Sequence, residues 1–221
     1  IALAWKLRRV SDRSYHRILF AIAVILLLSE LYKQLFHFYV MDNKTYDWWI
    51  FPFQLCSLPM YLCAILPFMK KSRWLIPLET FLMDFNLLGG LMALLVPDGL
   101  MHPYITLTLH AFVWHILLLF VGCFIGFSRH GDTSLSGFIK TLPILLICIG
   151  AATLLNVLFH SYGDINMFYI SPYKITTQPV FSQIMKRTGI WIGNLLYITA
   201  MCIAAFLIHR MFATIRRSCE K

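Results

Sequence analysis

Ile18-Leu19-Phe20-Ala21-Ile22-Ala23-Val24-Ile25-Leu26-Leu27-Leu28 is an unbroken apolar run without a charge, and the hydrophobic pattern continues to Val40. At ~1.5 Å per helical residue, a stretch of this length crosses a hydrocarbon core ~30 Å thick. It is too long for the apolar region of a signal peptide, and no small-residue cleavage site follows it. A membrane helix is therefore expected here, and no removable leader. The rest of the chain has the same character. Of its 221 residues, 59% are hydrophobic and 13% charged, with a mean hydropathy of +0.72. Soluble domains average roughly a quarter charged residues, so a soluble globular enzyme is excluded. Disorder is excluded too, since it needs low hydrophobicity and many charges.

Working outward from that run, six spans can be read: Ile18–Val40, Trp48–Met69, Trp74–Pro97, Tyr104–Phe127, Ile139–His160 and Gly189–Phe212. Turn and charge signals separate them, among them Met41-Asp42-Asn43-Lys44, Asp98-Gly99 and Arg129-His130-Gly131-Asp132. The expected fold is all-α: one polytopic membrane helix bundle of about six transmembrane helices, a single domain over residues 1–221. Pro52, Pro59 and Pro67 fall inside the second span, which should be broken. A membrane helix tolerates a break where it lines a cavity or is buried in protein.

The net charge of +9 would suit a nucleic-acid partner, but the positive residues sit in short blocks between apolar segments, where membrane topology places them. The blocks are Lys6-Leu7-Arg8-Arg9, Lys70-Lys71-Ser72-Arg73 and Arg216-Arg217. Counted by side, 14 Lys and Arg fall with the two termini and 4 fall opposite (Lys44, Lys174, Lys186 and Arg187). Both termini are then expected in the cytoplasm of a bacterial plasma membrane. The basic segment 1–17 and the tail 213–221 would be cytoplasmic, and the loop 161–188 extracytoplasmic. That loop carries Tyr162, Phe168, Tyr169, Tyr173 and Phe181 and is expected to lie on the membrane as a cap. No internal repeat is visible, which removes the main pointer to an inverted-repeat transporter.

Polar side chains inside a bilayer are costly, so each is a functional candidate by default. The set comprises Glu30, Lys33, His37, Gln54, Cys56, Glu79, Asp84, Asn86, His110, His115, Asn156 and His160. Counted from the outer ends of their spans, Cys56 lies ~12 Å deep and His110 and His115 lie ~9 and ~17 Å deep. Most of the set converges on the outer half of the bundle; Glu79 does not. Glu30 and Lys33, three apart on one helix, form either a neutralising pair or part of a site.

Cys56 sits in Phe51-Pro52-Phe53-Gln54-Leu55-Cys56-Ser57-Leu58-Pro59, a polar patch flanked by prolines. It is either a packing cysteine or a nucleophile, activated when an imidazole takes its proton. His110 and His115 are five apart, ~140° around a helix, so they do not form a two-His metal face. Either could serve Cys56, with Asp84, Asn86 or Asn156 orienting the ring. The cysteines show no zinc-ligand spacing. No metal and no cofactor are expected.

Several blocks together resemble a family. The Phe51–Pro59 segment is similar to the "LPxHLCSxx" segment of bacterial YwaF-type integral membrane proteins, with Gln54 where those have a His. Leu91-Met92-Ala93-Leu94-Leu95-Val96-Pro97-Asp98 resembles their "LxALLTPD" block, and Leu109-His110-Ala111-Phe112-Val113-Trp114-His115 their "HFFxxH" block. Asn156 with Asn166-Met167-Phe168-Tyr169-Ile170-Ser171-Pro172 resembles their "N…NYMYLxxP" stretch. The likeness covers about Trp48 to Tyr197 and relates the chain to the eukaryotic transmembrane 164 acyltransferase family, which acylates ether lysophospholipids.

The resemblance implies Cys56 as the acyl-accepting nucleophile, with His115 or His110 as its base. The expected activity moves a fatty acyl chain between lipids, or to a lipoprotein, through a Cys-linked intermediate in the outer half of the bilayer. Gln54, Asp84, Asn86, Asn156 and Tyr169 are the expected substrate contacts, and phospholipids or lysophospholipids the partners. A small transporter using the intramembrane polar residues, and a non-catalytic partner in a membrane complex, are the alternatives.

Overall fold

The computed structural model describes residues 1–69 and 72–219. Lys70, Lys71 and Lys221, counted above for topology, lie outside the described residues. Among the described residues all regular structure is helical. Five helical stretches are long and apolar enough to cross a membrane: Asp12–Met41, Leu75–Leu95, Ile105–Phe127, Leu135–Phe159 and Ile190–Ser218. A shorter apolar stretch, Leu55–Phe68, stands where the second span was expected.

A short helix α1 (Ala2–Lys6) precedes α2 (Asp12–Phe36). Ser11 starts α2 by accepting a hydrogen bond from the Ser14 amide, which satisfies one of the orphan donors of the first turn. The helix then widens into a π-turn at His37–Met41. The second span is in pieces. A 3₁₀ turn at Trp48–Ile50, extended residues 51–54 and a 3₁₀ turn at Leu55–Ser57 lead into α3 (Leu58–Ile65). Pro59 falls in the first turn of α3, where its missing N–H costs nothing. Pro52 falls in the extended part.

The third span is α4 (Leu75–Phe81), a π-turn at Leu82–Asn86 and α5 (Leu87–Leu95). Next come α6 (Ile105–Phe127) and α7 (Leu135–Phe159), the latter capped by Ser134 and carrying Pro143 inside it. The amphipathic α8 (Phe181–Thr188) leads through Gly189, at φ +85°, into α9 (Ile190–Ser218). Span five therefore starts a turn earlier than expected, and span six runs beyond Phe212 to Ser218.

Two ends of the bundle can be told apart by cross-contacts. At the end that carries both termini, Trp5 meets Phe127, Tyr15 meets Phe124 and Arg216 donates to the Gly126 carbonyl. At the far end, Phe36 meets Tyr104, and Asn156 meets Met167. One buried cluster joins α2, α3, α6 and the end of α9 through Tyr15, Leu26, Met60, Leu118 and Phe212. A second joins α4, α7, α9 and the 165–170 loop through Phe81, Phe85, Phe138, Met167 and Phe168.

The 161–188 loop does not simply cap the surface. Ile165, Met167, Phe168, Ile170 and Ser171 are buried, so its middle enters the bundle. Backbone taken out of water must find partners, and four amide side chains supply them. Asn156 donates to the Met167 carbonyl at 3.0 Å and accepts from its amide at 2.6 Å. Gln54 donates to the Asn166 carbonyl at 3.0 Å and accepts from the Phe168 amide at 2.7 Å. Asn166 accepts from the Ser171 amide, and Asn194 donates to the Ile170 carbonyl. Phe168 and Tyr169 sit at φ +56° and +60°, a left-handed turn that non-glycine residues adopt at a cost.

Candidate functional site

The 3₁₀ turn at Leu55–Ser57 fixes Cys56, which is half-buried with a free thiol. Its carbonyl accepts a 3.0 Å hydrogen bond from Trp114 Nε1. That bond sets Cys56 level with the His110–His115 stretch of α6. Trp114 is itself buried, so the contact is part of the bundle interior. α2, which packs against the α3 helix that follows Cys56, carries Glu30 and Lys33. They pair with each other at 2.9 Å. Gln34 donates to Glu30 Oε1 at 2.7 Å, and Lys33 and Gln34 both donate to the Ile50 carbonyl. The Glu30–Lys33 pair thus exists, and it is tied to the Trp48–Ile50 turn.

The two histidines are placed differently. His110 lies one turn before Trp114 on the same face of α6, their rings 5.7 Å apart. It meets α2 through the Tyr32 ring, with centroids 6.2 Å apart. Its buried Nε2 has no hydrogen-bond partner among the described residues. His115 turns its Nδ1 to the Ala111 carbonyl of its own helix at 2.7 Å. Among the described residues, no hydrogen bond or ion pair joins either ring to Cys56. Tyr169 of the inserted loop and Tyr197 of α9 are half-buried. Trp49 packs edge-on to Tyr169 at 5.6 Å.

The expected substrate contacts divide into two groups. Gln54 and Asn156 are occupied with the inserted loop, which carries Tyr169. Asp84 and Asn86 lie on the Leu82–Asn86 π-turn, which packs against the Leu55–Ser57 turn. Their side chains point elsewhere in the bundle. Asn86 donates to the Leu118 carbonyl at 3.0 Å. Asp84 Oδ2 meets His209 Nδ1 at 2.9 Å, with both side chains fully buried. His209 Nε2 faces the Ser134 carbonyl at 2.9 Å. A carbonyl only accepts, so Nε2 carries a proton, and the proton between Nδ1 and the carboxyl is shared by an acid and a base. Asn166, His209 and Asn194 had no assigned role in the sequence. The signal for His209 was a buried-looking Asp84 with no partner on its own helix.

Glu79 is also buried, near Tyr15 and Cys63, at the end that carries the termini. At the same end an open cleft between α4 and α7 is lined by Arg73, Trp74, Thr80, Asp132 and Lys140. His160 stacks on Tyr173 at the far end and is exposed.

Taken together, these features define a polytopic helical membrane protein. The broken second span ties Cys56 to α6 through Trp114, and the inserted loop is held inside the bundle by four amide side chains. The chain belongs to the TMEM164 family, whose sequence profile matches residues 1–210. No curated protein and no solved structure matches it significantly.

Proposed function

We propose that the protein is a thiol-dependent lipid acyltransferase, with Cys56 as nucleophile and His110 as its base. The observation that supports this most is that Trp114 donates to the Cys56 carbonyl at 3.0 Å and packs 5.7 Å from the His110 ring, whose buried Nε2 has no hydrogen-bond partner among the described residues. A buried lone imidazole nitrogen is available to take a thiol proton. His115 is the less favoured base, because its ring is tied to its own helix.

In the first half-reaction the thiolate attacks the ester carbonyl of a phospholipid. A C–S bond forms, the ester C–O bond breaks, and the lyso-lipid leaves with the proton held by His110. In the second, a lyso-lipid hydroxyl gives its proton to His110 and attacks the thioester. A C–O bond forms and the thiol is regenerated. The Lys33 ammonium and the Trp114 ring shape the wall against which the acyl ester lies. Bilayer phospholipids and lysophospholipids are the substrates this reading requires.

The test is intact mass measurement of the purified protein after incubation with phospholipid, together with lipid turnover in vesicles. Cys56→Ala should abolish both the acyl adduct and the turnover. His110→Ala should lower turnover by roughly 10²–10⁴-fold, the usual worth of a general base, and His115→Ala should lower it far less. Full turnover in Cys56→Ala removes the proposal. Equal losses in the two histidine variants remove the assignment of the base.

A further inference from the structure

We propose that His37, Asp42 and Asp47 form a binding site for a first-row divalent metal ion, of the zinc or manganese kind, at the far end of the bundle. One ligand atom from each of the three lies within 4.8 Å of the other two. The π-turn at His37–Met41 makes this possible. Its extra residue brings the chain back so that the Asp42 amide donates to the His37 carbonyl and Asp42 Oδ2 comes to 3.2 Å from His37 Nδ1. Asp47 arrives from the other side of the 42–47 turn, held by the Trp49 amide donating to its Oδ1 at 2.9 Å. His37 is buried and the two carboxylates are half-buried.

A plain His–Asp ion pair accounts for two of these groups, and Asp47, which caps the Trp48–Ile50 turn, brings a second carboxylate to the same corner. One imidazole cannot balance two carboxylates, and carboxylates held this close repel. A divalent ion balances them. Metal–ligand distances of ~2.0–2.2 Å put three ligand atoms at most ~4.2 Å apart, so small side-chain rotations close the site. The donor set names the metal class. A nitrogen ligand favours zinc and its neighbours over calcium or magnesium, and two carboxylates keep manganese in range. A second imidazole stands at the same corner: His102 from the α5–α6 loop meets His37 edge-on, with ring centroids 6.5 Å apart. Three protein ligands leave coordination positions open toward the membrane surface. None of the three side chains takes part in the acyl-transfer reading.

The experiment uses the full chain in lipid nanodiscs, stripped with a chelator and desalted. It is then dialysed against Zn²⁺ with metal analysis, and in parallel against Mn²⁺ with electron paramagnetic resonance. Binding of one ion per chain and a rise in melting temperature with Zn²⁺ are expected. His37→Gln and Asp47→Asn should each weaken binding by about tenfold or more, the scale seen when metal sites lose supporting groups. The Asn side chain in Asp47→Asn still accepts from the Trp49 amide, so the turn is kept and a loss of binding is not a loss of fold. Asp164→Asn, which alters only an ion pair with Lys174, should bind as the parent does. Absence of stoichiometric metal in the parent chain, or affinity equal to the parent's in His37→Gln and Asp47→Asn, overturns the site.

Discussion

Gln54 offers the Asn166–Phe168 backbone both a donor and an acceptor; the Asn166 carbonyl also accepts from the Tyr169 amide, so the Phe168 amide is the group that depends on Gln54. Gln54→Ala should therefore destabilise the protein by about 1–3 kcal/mol for each buried backbone group it strands. The readout is the melting temperature in detergent, together with faster proteolysis near residues 160–170. An unchanged melting temperature would show that the loop does not depend on this clamp. The sequence marked Gln54 as polar and costly in a membrane. It gave no sign that the amide faces main chain 112 residues away.

His130 shows the same limit. It lies between spans, stacked on Tyr15 with ring centroids 3.5 Å apart and planes 4° apart. Burial holds its pKa below the ordinary value, against the opposing pull of Asp12. The neutral ring is the folded form. Its contribution to stability is thus complete above the unfolded value of about 6.5 and fades as pH falls toward the lowered native value. Melting temperature should drop between pH 8 and 5, and His130→Phe should drop less. Identical slopes for the two proteins would contradict this.

Among the elements, α5 and α6 approach most tightly at Gly122. A Cβ there would stand 2.6 Å from Leu87 Cβ and 3.2 Å from Leu87 Cα. Backbone cannot swing aside as a side-chain tip can, and small residues are what let membrane helices come this close. Gly122→Ala should cost about 1–3 kcal/mol through overpacking, again visible as a lower melting temperature. Gly150→Ala, which meets nothing within 4 Å, is the control expected to melt like the parent or higher.

The broken second span was legible because three prolines in one apolar run leave few places for a continuous helix. The π-turns at His37–Met41 and Leu82–Asn86 were not. Each inserts one residue into a helix whose hydrophobic pattern continues on both sides, and a fully buried span has little amphipathic period to disturb. Both turns matter, since one aims Asp84 at His209 and the other folds Asp42 back onto His37.

At the scale of the whole molecule, charge asymmetry predicts which end faces the cytoplasm. Cys219 is exposed beyond α9, and Thr177 is exposed in the opposite loop. In intact cells a membrane-impermeant maleimide should leave Cys219 unlabelled until the cells are permeabilised. The Thr177→Cys protein should be labelled at once. Labelling of Cys219 from outside would invert the topology, and with it the leaflet assigned to Cys56.

The all-helical membrane character and the order of the apolar segments followed from composition and apolar run length, which gave six spans where five helical stretches are long enough to cross and Leu55–Phe68 is shorter. These depend only on transferring local stretches of chain from water to hydrocarbon, and they need no partner. Tertiary structure alone decided which polar groups meet: the Cys56 carbonyl with Trp114, Asp84 with His209, and four amides around an inserted loop. Those contacts join residues far apart in sequence, through side chains whose only demand is a hydrogen-bond partner. Many partners could have satisfied that demand, and the packing of the bundle selected one of them.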